Sequence, residues 1–195
     1  MKSLRGSKTA ENLLTAFRNK TYDQQKYTNY ASVATEQGLI QIANLFRKMA
    51  RGVNEHAKLI ARFLLCSGYT ADEICTLMQM PIHSSDTVTN LVTAANNQAA
   101  NSTRIFPEYT KTAYDEKYLE VAIMFNMMTR ADDNYGKLCA TYAAMFENGT
   151  FFNKAEPKKW VCNRCGYVYV GASAPDICPL CNVNQNYFEI QHVEE

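Results

Sequence analysis

A chain of 195 residues, 47% of them hydrophobic, holds enough apolar material for a real core, which excludes disorder. That length fits one domain of roughly 150 residues with a small appendage. Twenty Lys and Arg against 19 Asp and Glu leave a net charge of +1, so nothing in the electrostatics favours nucleic acid or an anionic membrane. Seven cysteines beside three histidines make an odd thiol number, awkward for a pure disulfide framework and better suited to thiolate chemistry.

The opening Met1-Lys2-Ser3-Leu4-Arg5-Gly6 leads into polar helical sequence without the apolar core of a signal peptide. No uninterrupted apolar run is long enough to span a bilayer. The expectation is a cytoplasmic protein, in which clustered cysteines act as metal ligands before they act as disulfides.

From residue 9 to about residue 147 apolar residues recur at helical spacing, which predicts four long helices. The first runs from about Thr9 to Glu36 with an inward stripe of Leu13, Phe17, Lys20, Gln24, Tyr27 and Ala31. The second, from about Leu39 to Leu65, carries Ile42, Phe46, Met49, Val53, His56, Ile60 and Phe63. A long connection from Cys66 to Asp86 contains Pro81 and a candidate short helix at Ala71–Met78. That reach lets the third helix run parallel to the second. Ser85 or Asp86 is placed to cap the third helix at about Thr87, with the stripe Leu91, Ala95, Gln98, Ser102 and Ile105, Asn101 beside it, and a kink or break expected at Pro107. The fourth, from about Lys117 to Phe146, carries Val121, Phe125, Met128, Asp132, Tyr135, Cys139, Tyr142 and Phe146. Asn148-Gly149 ends the helical part. The division expected is a bundle over 1–147, a linker over 148–159 and a small metal-bound β domain over 160–195.

The most specific motif is Cys162-Asn163-Arg164-Cys165 followed, after twelve residues, by Cys178-Pro179-Leu180-Cys181. Two such loops present four thiolates to one point, a tetrahedral cage for zinc or a single iron. Two disulfides are the weaker reading, and Cys66, Cys75 and Cys139 read as ordinary buried or half-buried residues. Cys165-Gly166-Tyr167-Val168-Tyr169 and the Cys-Pro-Leu-Cys loop, with Trp160 two residues before the first ligand, resemble a rubredoxin domain. Gly166 permits a positive φ beside the sulfurs, and Trp160, Tyr167, Tyr169 and Phe188 can form an apolar shell that tunes a one-electron potential. This puts iron ahead of a zinc ribbon.

The opening through Leu13, the segment Glu55-His56-Ala57-Lys58, Phe106-Pro107 and the cysteine tail together resemble the rubrerythrin family over essentially the whole chain. The resemblance implies a ferritin-like four-helix bundle before a rubredoxin-like domain, a carboxylate-bridged diiron centre that reduces hydrogen peroxide, and a role in oxidative-stress defence. It also implies homo-oligomers. Carried over position by position, however, the diiron ligands fall on Lys20, on Val53 and His56, on Gln98 and Asn101, and on Asp132 and Tyr135.

Such a centre needs a Glu from each of two helices and a Glu-x-x-His from each of the others. On the four inward stripes stand one acid, Asp132, and one imidazole, His56, and Lys20 adds a repelling cation. The expectation is therefore a bundle without a diiron centre and with no assigned catalytic residue, where Lys20 pairs with Asp132 or hydrogen-bonds Gln98, Asn101 and Tyr135. His56 then reads as a core histidine. Three functions remain open from sequence. One is a rubrerythrin-like electron-transfer protein serving a redox partner, as a homo-oligomer or in mixed assembly with a paralogue. Another is an active peroxidase with an unusual ligand set. The last is a structural protein with zinc at the cysteines.

Overall fold

A computed structural model describes residues 4–76 and 85–191. Pro81, His83 and His192 lie outside the described residues, as do the last two positions of the short helix expected at Ala71–Met78. Helix α1 spans Lys8–Glu36. Its first turn is capped by Ser7, whose hydroxyl accepts from the Ala10 N–H at 3.0 Å, and by Glu116, whose carboxylate accepts from the N–H groups of Lys8 and Thr9. Gly38, at φ +74°, turns the chain sharply into α2, Ile40–Cys66, so the two helices pack as an antiparallel pair. A short α3, Ala71–Cys75, follows, closed by a reciprocal cap between Thr70 and Glu73.

Asp86 caps α4, Thr87–Ala100, by accepting from the N–H groups of Val88 and Thr89. The break expected at Pro107 takes a different form. A π turn over Asn101–Ile105 leads directly into α5, Phe106–Asp115, and Pro107 sits in the first turn of α5, where a missing N–H costs nothing. Helix α6 is Leu119–Glu147. Met49 meets Cys139 (S···S 3.5 Å), and His56, seven residues later, faces Asp132, seven residues earlier. Gln98 lies against Gly136 and Asn101 bonds Asp132. Both α2 and α4 therefore run antiparallel to α6 and parallel to each other, as the long connection suggested. Among the described residues no helix is long and apolar enough to cross a membrane.

The bundle core divides in two. One cluster holds Leu13, Phe17, Ile60, Leu64, Phe106 and Phe125; the other holds Tyr27, Phe46, Met49, Leu91 and Cys139. The polar residues of the inward stripes lie between them. Not every expected stripe residue is inside: Gln24, His56, Phe63, Ala95, Ile105, Tyr135, Tyr142 and Phe146 are half-buried, because those stripes drift toward the edges of the helix contacts.

Strand β1 covers Asn153–Cys162, β2 Val168–Ser173 and β3 Phe188–Ile190, in the antiparallel order β2-β1-β3. From Asn153 onward the segment expected as linker is thus strand. Trp160 pairs across the sheet with Tyr169 and Ile190, and its indole N–H donates to the Gly171 carbonyl at 2.9 Å. Trp160, Phe188, Val183 and Ala174 form the small core with Cys162 and Cys178, and Tyr167 packs against it. Tyr169 does not join this shell: it is exposed, with its ring lying over Gly171. As the cross-strand partner of Trp160 it shares that residue's face, but it stands on the edge strand β2 and outside the core built around the cysteines. The tail meets the bundle through Phe151, stacked on Phe146 with centroids 4.2 Å apart, and through Asn186, whose amide donates to the Gln37 carbonyl at 2.8 Å.

Candidate metal centre and the polar core of the bundle

The four sulfurs of Cys162, Cys165, Cys178 and Cys181 lie within 4.8 Å of one another. Cys162 and Cys181 are 3.7 Å apart, as are Cys165 and Cys178. A tetrahedron of sulfurs around a metal at about 2.3 Å has edges of about 3.8 Å, so the cage has the size and the donor chemistry for one zinc or one iron. Among the described residues this is the one set of three or more His, Cys, Asp or Glu ligand atoms close enough to share an ion.

Each cysteine pair sits on the same backbone device. The Gly166 N–H donates to the Cys162 carbonyl and the Asn182 N–H to the Cys178 carbonyl, both at 2.9 Å, and both residues are left-handed, at φ +78° and +58°. This turn points N–H groups at the sulfurs. Tyr167 donates to Cys165, Leu180 and Cys181 to Cys178, and Val183 to Cys181. Gly166 announced the first turn in the sequence; Asn182 escaped notice because asparagine enters this region less obviously than glycine. Its place directly after the second cysteine of its pair was the available signal.

Inside the bundle, Lys20 Nζ lies 2.6 Å from Asp132 Oδ2, with the two side chains 1% and 0% exposed. The same oxygen accepts from the Asn101 amide at 2.9 Å, and the ammonium stands 4.9 Å from the centroid of the Phe106 ring. A lysine from α1, an amide from the π turn and an aspartate from α6 thus close on one point. Asn101 follows Gln98 by three residues at ordinary helical spacing, its N–H still bonded to the Asn97 carbonyl, and the π turn begins with it. Val53 is buried apolar packing. Tyr135 does not reach Lys20: its hydroxyl end lies against Gly52 of α2, 3.3 Å from where a Cβ would stand. Gln98 is fully buried and makes no hydrogen bond to Lys20, and Asn101 bonds Asp132 instead, so of the expected partners Lys20 pairs with Asp132.

These residues do not fit two metal ions. An ammonium occupies the near side of the one acid, and the remaining donors are an amide, a second amide and a neutral imidazole. One buried carboxylate already neutralised by Lys20 leaves no negative charge for a cation.

His56 Nδ1 is 3.8 Å from Asp132 Oδ1, too far for a direct hydrogen bond, and its side chain is 16% exposed. Burial first, and then the charge of Lys20, push its pKa down from 6.5 to about 4 against the pull of Asp132. The unfolded chain therefore binds a proton below about pH 6.5 that the native chain refuses until about pH 4. Stability is full above pH 6.5 and is lost as pH falls between these values, by about 3 kcal/mol. Denaturant midpoints at pH 7 and pH 4.5 check this, and a His56→Gln variant is expected to remove that part of the slope.

Sequence reasoning missed a second buried ion pair nearby. Asp23 and Lys26, one turn apart on α1, are 2.7 Å from each other and almost entirely covered. Both sit off the apolar stripe, and an i,i+3 acid–base pair is normally a solvent-facing feature, so no pattern in the sequence marked them as interior.

Comparison with known proteins agrees with both halves. Residues 11–136 match the family model described as Rubrerythrin, and residues 160–189 match the one described as Rubrerythrin, rubredoxin-like domain. The chain is 36% identical over 192 residues to Rubrerythrin-1 of Clostridium acetobutylicum, covering 97% of each. It is 32% identical over 190 residues to a rubrerythrin of Nitratidesulfovibrio vulgaris, again covering 97% of each. Among solved structures it is similar in fold to a mixed-valence state of nigerythrin, with a TM-score of 0.64 at 23% identity over 97% of this chain and 92% of that one. A reduced symerythrin from Cyanophora paradoxa aligns with a TM-score of 0.61 at 17% identity, over 75% of this chain and 89% of that one.

Proposed function

This chain belongs to the rubrerythrin family, and from that premise we propose that its working centre is the tail iron, with an ion pair holding the place of the family's diiron centre. The observation that carries the reading is the contrast between the two sites. Four sulfurs are retained at metal-binding spacing, while Lys20 Nζ stands 2.6 Å from Asp132, the one acid among the altered diiron positions. Cys162, Cys165, Cys178 and Cys181 hold the iron, and Lys20, Val53, His56, Gln98, Asn101, Asp132 and Tyr135 are the altered diiron positions. The domains divide at the start of the segment 148–159, after α6 and before β1.

A single iron in a tetrathiolate site supplies reversible one-electron exchange between its ferric and ferrous states. The chain's own groups set the conditions for it. The N–H groups of Tyr167, Leu180, Cys181 and Val183 disperse charge on the sulfurs, which favours the more negative, reduced state. Trp160 and Phe188 keep water off the side of Cys162 and Cys178. Cys165 is exposed, and Leu180 and Ile177 beside the second pair are apolar and exposed, which gives a redox partner protein a short approach and a face to dock on. The partner is another protein in the cytoplasm, and the chain works as a homo-oligomer or beside a competent paralogue.

Metal analysis of the purified protein tests the proposal. About one iron per chain without peroxide turnover is the expected result, and Cys178→Ser is expected to remove the iron and its charge-transfer colour while leaving the bundle's helical signal in place. About three irons with turnover, or zinc alone in protein expressed with iron in excess, would overturn it.

A further inference from the structure

We propose that the bundle core contains a permanent hydration site, in which one or two water molecules are bound between Tyr27, His56, Gln98 and Asp132. Tyr27 Oη, His56 Nδ1, Asp132 Oδ1 and both amide atoms of Gln98 are buried polar atoms without a hydrogen-bond partner. Among the described residues only Thr110 Oγ1 shares that condition. Tyr27, Gln98 and Asp132 are each 0% exposed. Groups of this kind are rarely left unsatisfied in a folded protein.

Four elements bring them together. His56 Nδ1 and Asp132 Oδ1 are 3.8 Å apart, too far to bond directly and close enough for one water beside the line between them to bond both. Gly136, one turn after Asp132, has no side chain, and the space where its Cβ would stand is 3.3 Å from the Gln98 Cβ, which sets the Gln98 amide at the level of this turn of α6. Tyr27 is near enough to Asp132 for that carboxylate to help hold the Tyr27 hydroxyl protonated, after the larger effects of its burial and of Asp23.

The charge and bonding requirements select the occupant. Lys20 and Asp132 cancel, and His56 is neutral at ordinary pH, so the site is neutral overall. A metal cation there meets the Lys20 ammonium, and an anion meets Asp132 Oδ1. Gln98 asks for a donor and an acceptor, Asp132 Oδ1 for a donor, and the Tyr27 hydroxyl and His56 Nδ1 can each take either role. Water is the smallest neutral molecule that offers both.

A crystal structure of the full chain at a resolution that orders solvent tests this, together with the melting temperatures of Tyr27→Phe and Gln98→Met. The expected result is at least one solvent peak within hydrogen-bond distance of two or more of these groups. Both variants are expected to melt lower by about 3 °C or more, since each removes a partner of the bound water. A metal identified in that peak by anomalous scattering, or a dry pocket whose side chains pair directly, overturns the proposal. So does a rise in melting temperature in both variants, because deleting an unsatisfied polar atom from a dry core stabilises the fold.

Discussion

Lys20→Met is expected to lower the unfolding free energy by about 3–5 kcal/mol, because it strands the Asp132 carboxylate in the core with Asn101 as its remaining direct partner. The reverse deletion, Asp132→Leu, leaves the Lys20 ammonium with the Phe106 ring and is expected to cost a similar amount. Removing both together is a different matter. The double variant replaces two desolvated charges with side chains of comparable bulk between two apolar clusters that already flank the site, and it is expected to lie within about 1 kcal/mol of the parent or to exceed it. Asn101 is half-buried and can turn toward the polar groove formed by Asn19, Tyr22, Asp23 and Asn97. Guanidinium unfolding of the three variants measures the cycle. A double variant as weak as the sum of the single ones would mean that the pair is not a pair, and the account of the bundle interior would fail with it.

How much of this was legible beforehand follows from how each feature is encoded. The four long helices and their inward faces stand out because their period is repeated over many turns, and the cysteine cage because two short motifs repeat the same spacing. Lys20 and Asp132 were readable as interior because each interrupts an apolar stripe at a position the stripe demands. What the pattern concealed depends on a local irregularity or on a contact between distant segments. The π turn over Asn101–Ile105 went unread, because no propensity marks one, although the spacing of Asn101 from Gln98 already placed it beside the inward stripe. Tyr135 keeps the right spacing from Asp132 yet reaches Gly52, since three residues of helix turn a side chain 60° short of a full circle, enough to carry it to the neighbouring groove. Asp23 and Lys26 are covered by packing that no single helix contains.

The same geometry gives the strongest expectation about metal. If Lys20, Val53, Gln98, Asn101 and Asp132 mark the places where carboxylates would bind, then the combined variant Lys20→Glu, Val53→Glu, Gln98→Glu, Asn101→Glu and Asp132→Glu, with His56 kept and Tyr135→His added, is expected to raise iron content from about one to about three per chain. Without metal, five glutamates facing one another in a buried site repel strongly, so the apoprotein is expected to melt well below the parent, or to remain molten. Ferrous iron supplies the missing positive charge and is expected to restore a cooperative transition, because an ion that binds only the folded state stabilises it by mass action. Melting scans with and without ferrous iron, read beside metal analysis, separate the possibilities. A variant that folds but takes up no added iron would show that these positions do not converge as the ion pair implies. A single Lys20→Glu change provides the contrasting control: with two acids facing one imidazole and two amides, it is expected to destabilise the bundle without creating a two-metal site, since two cations need more negative charge than that pair provides.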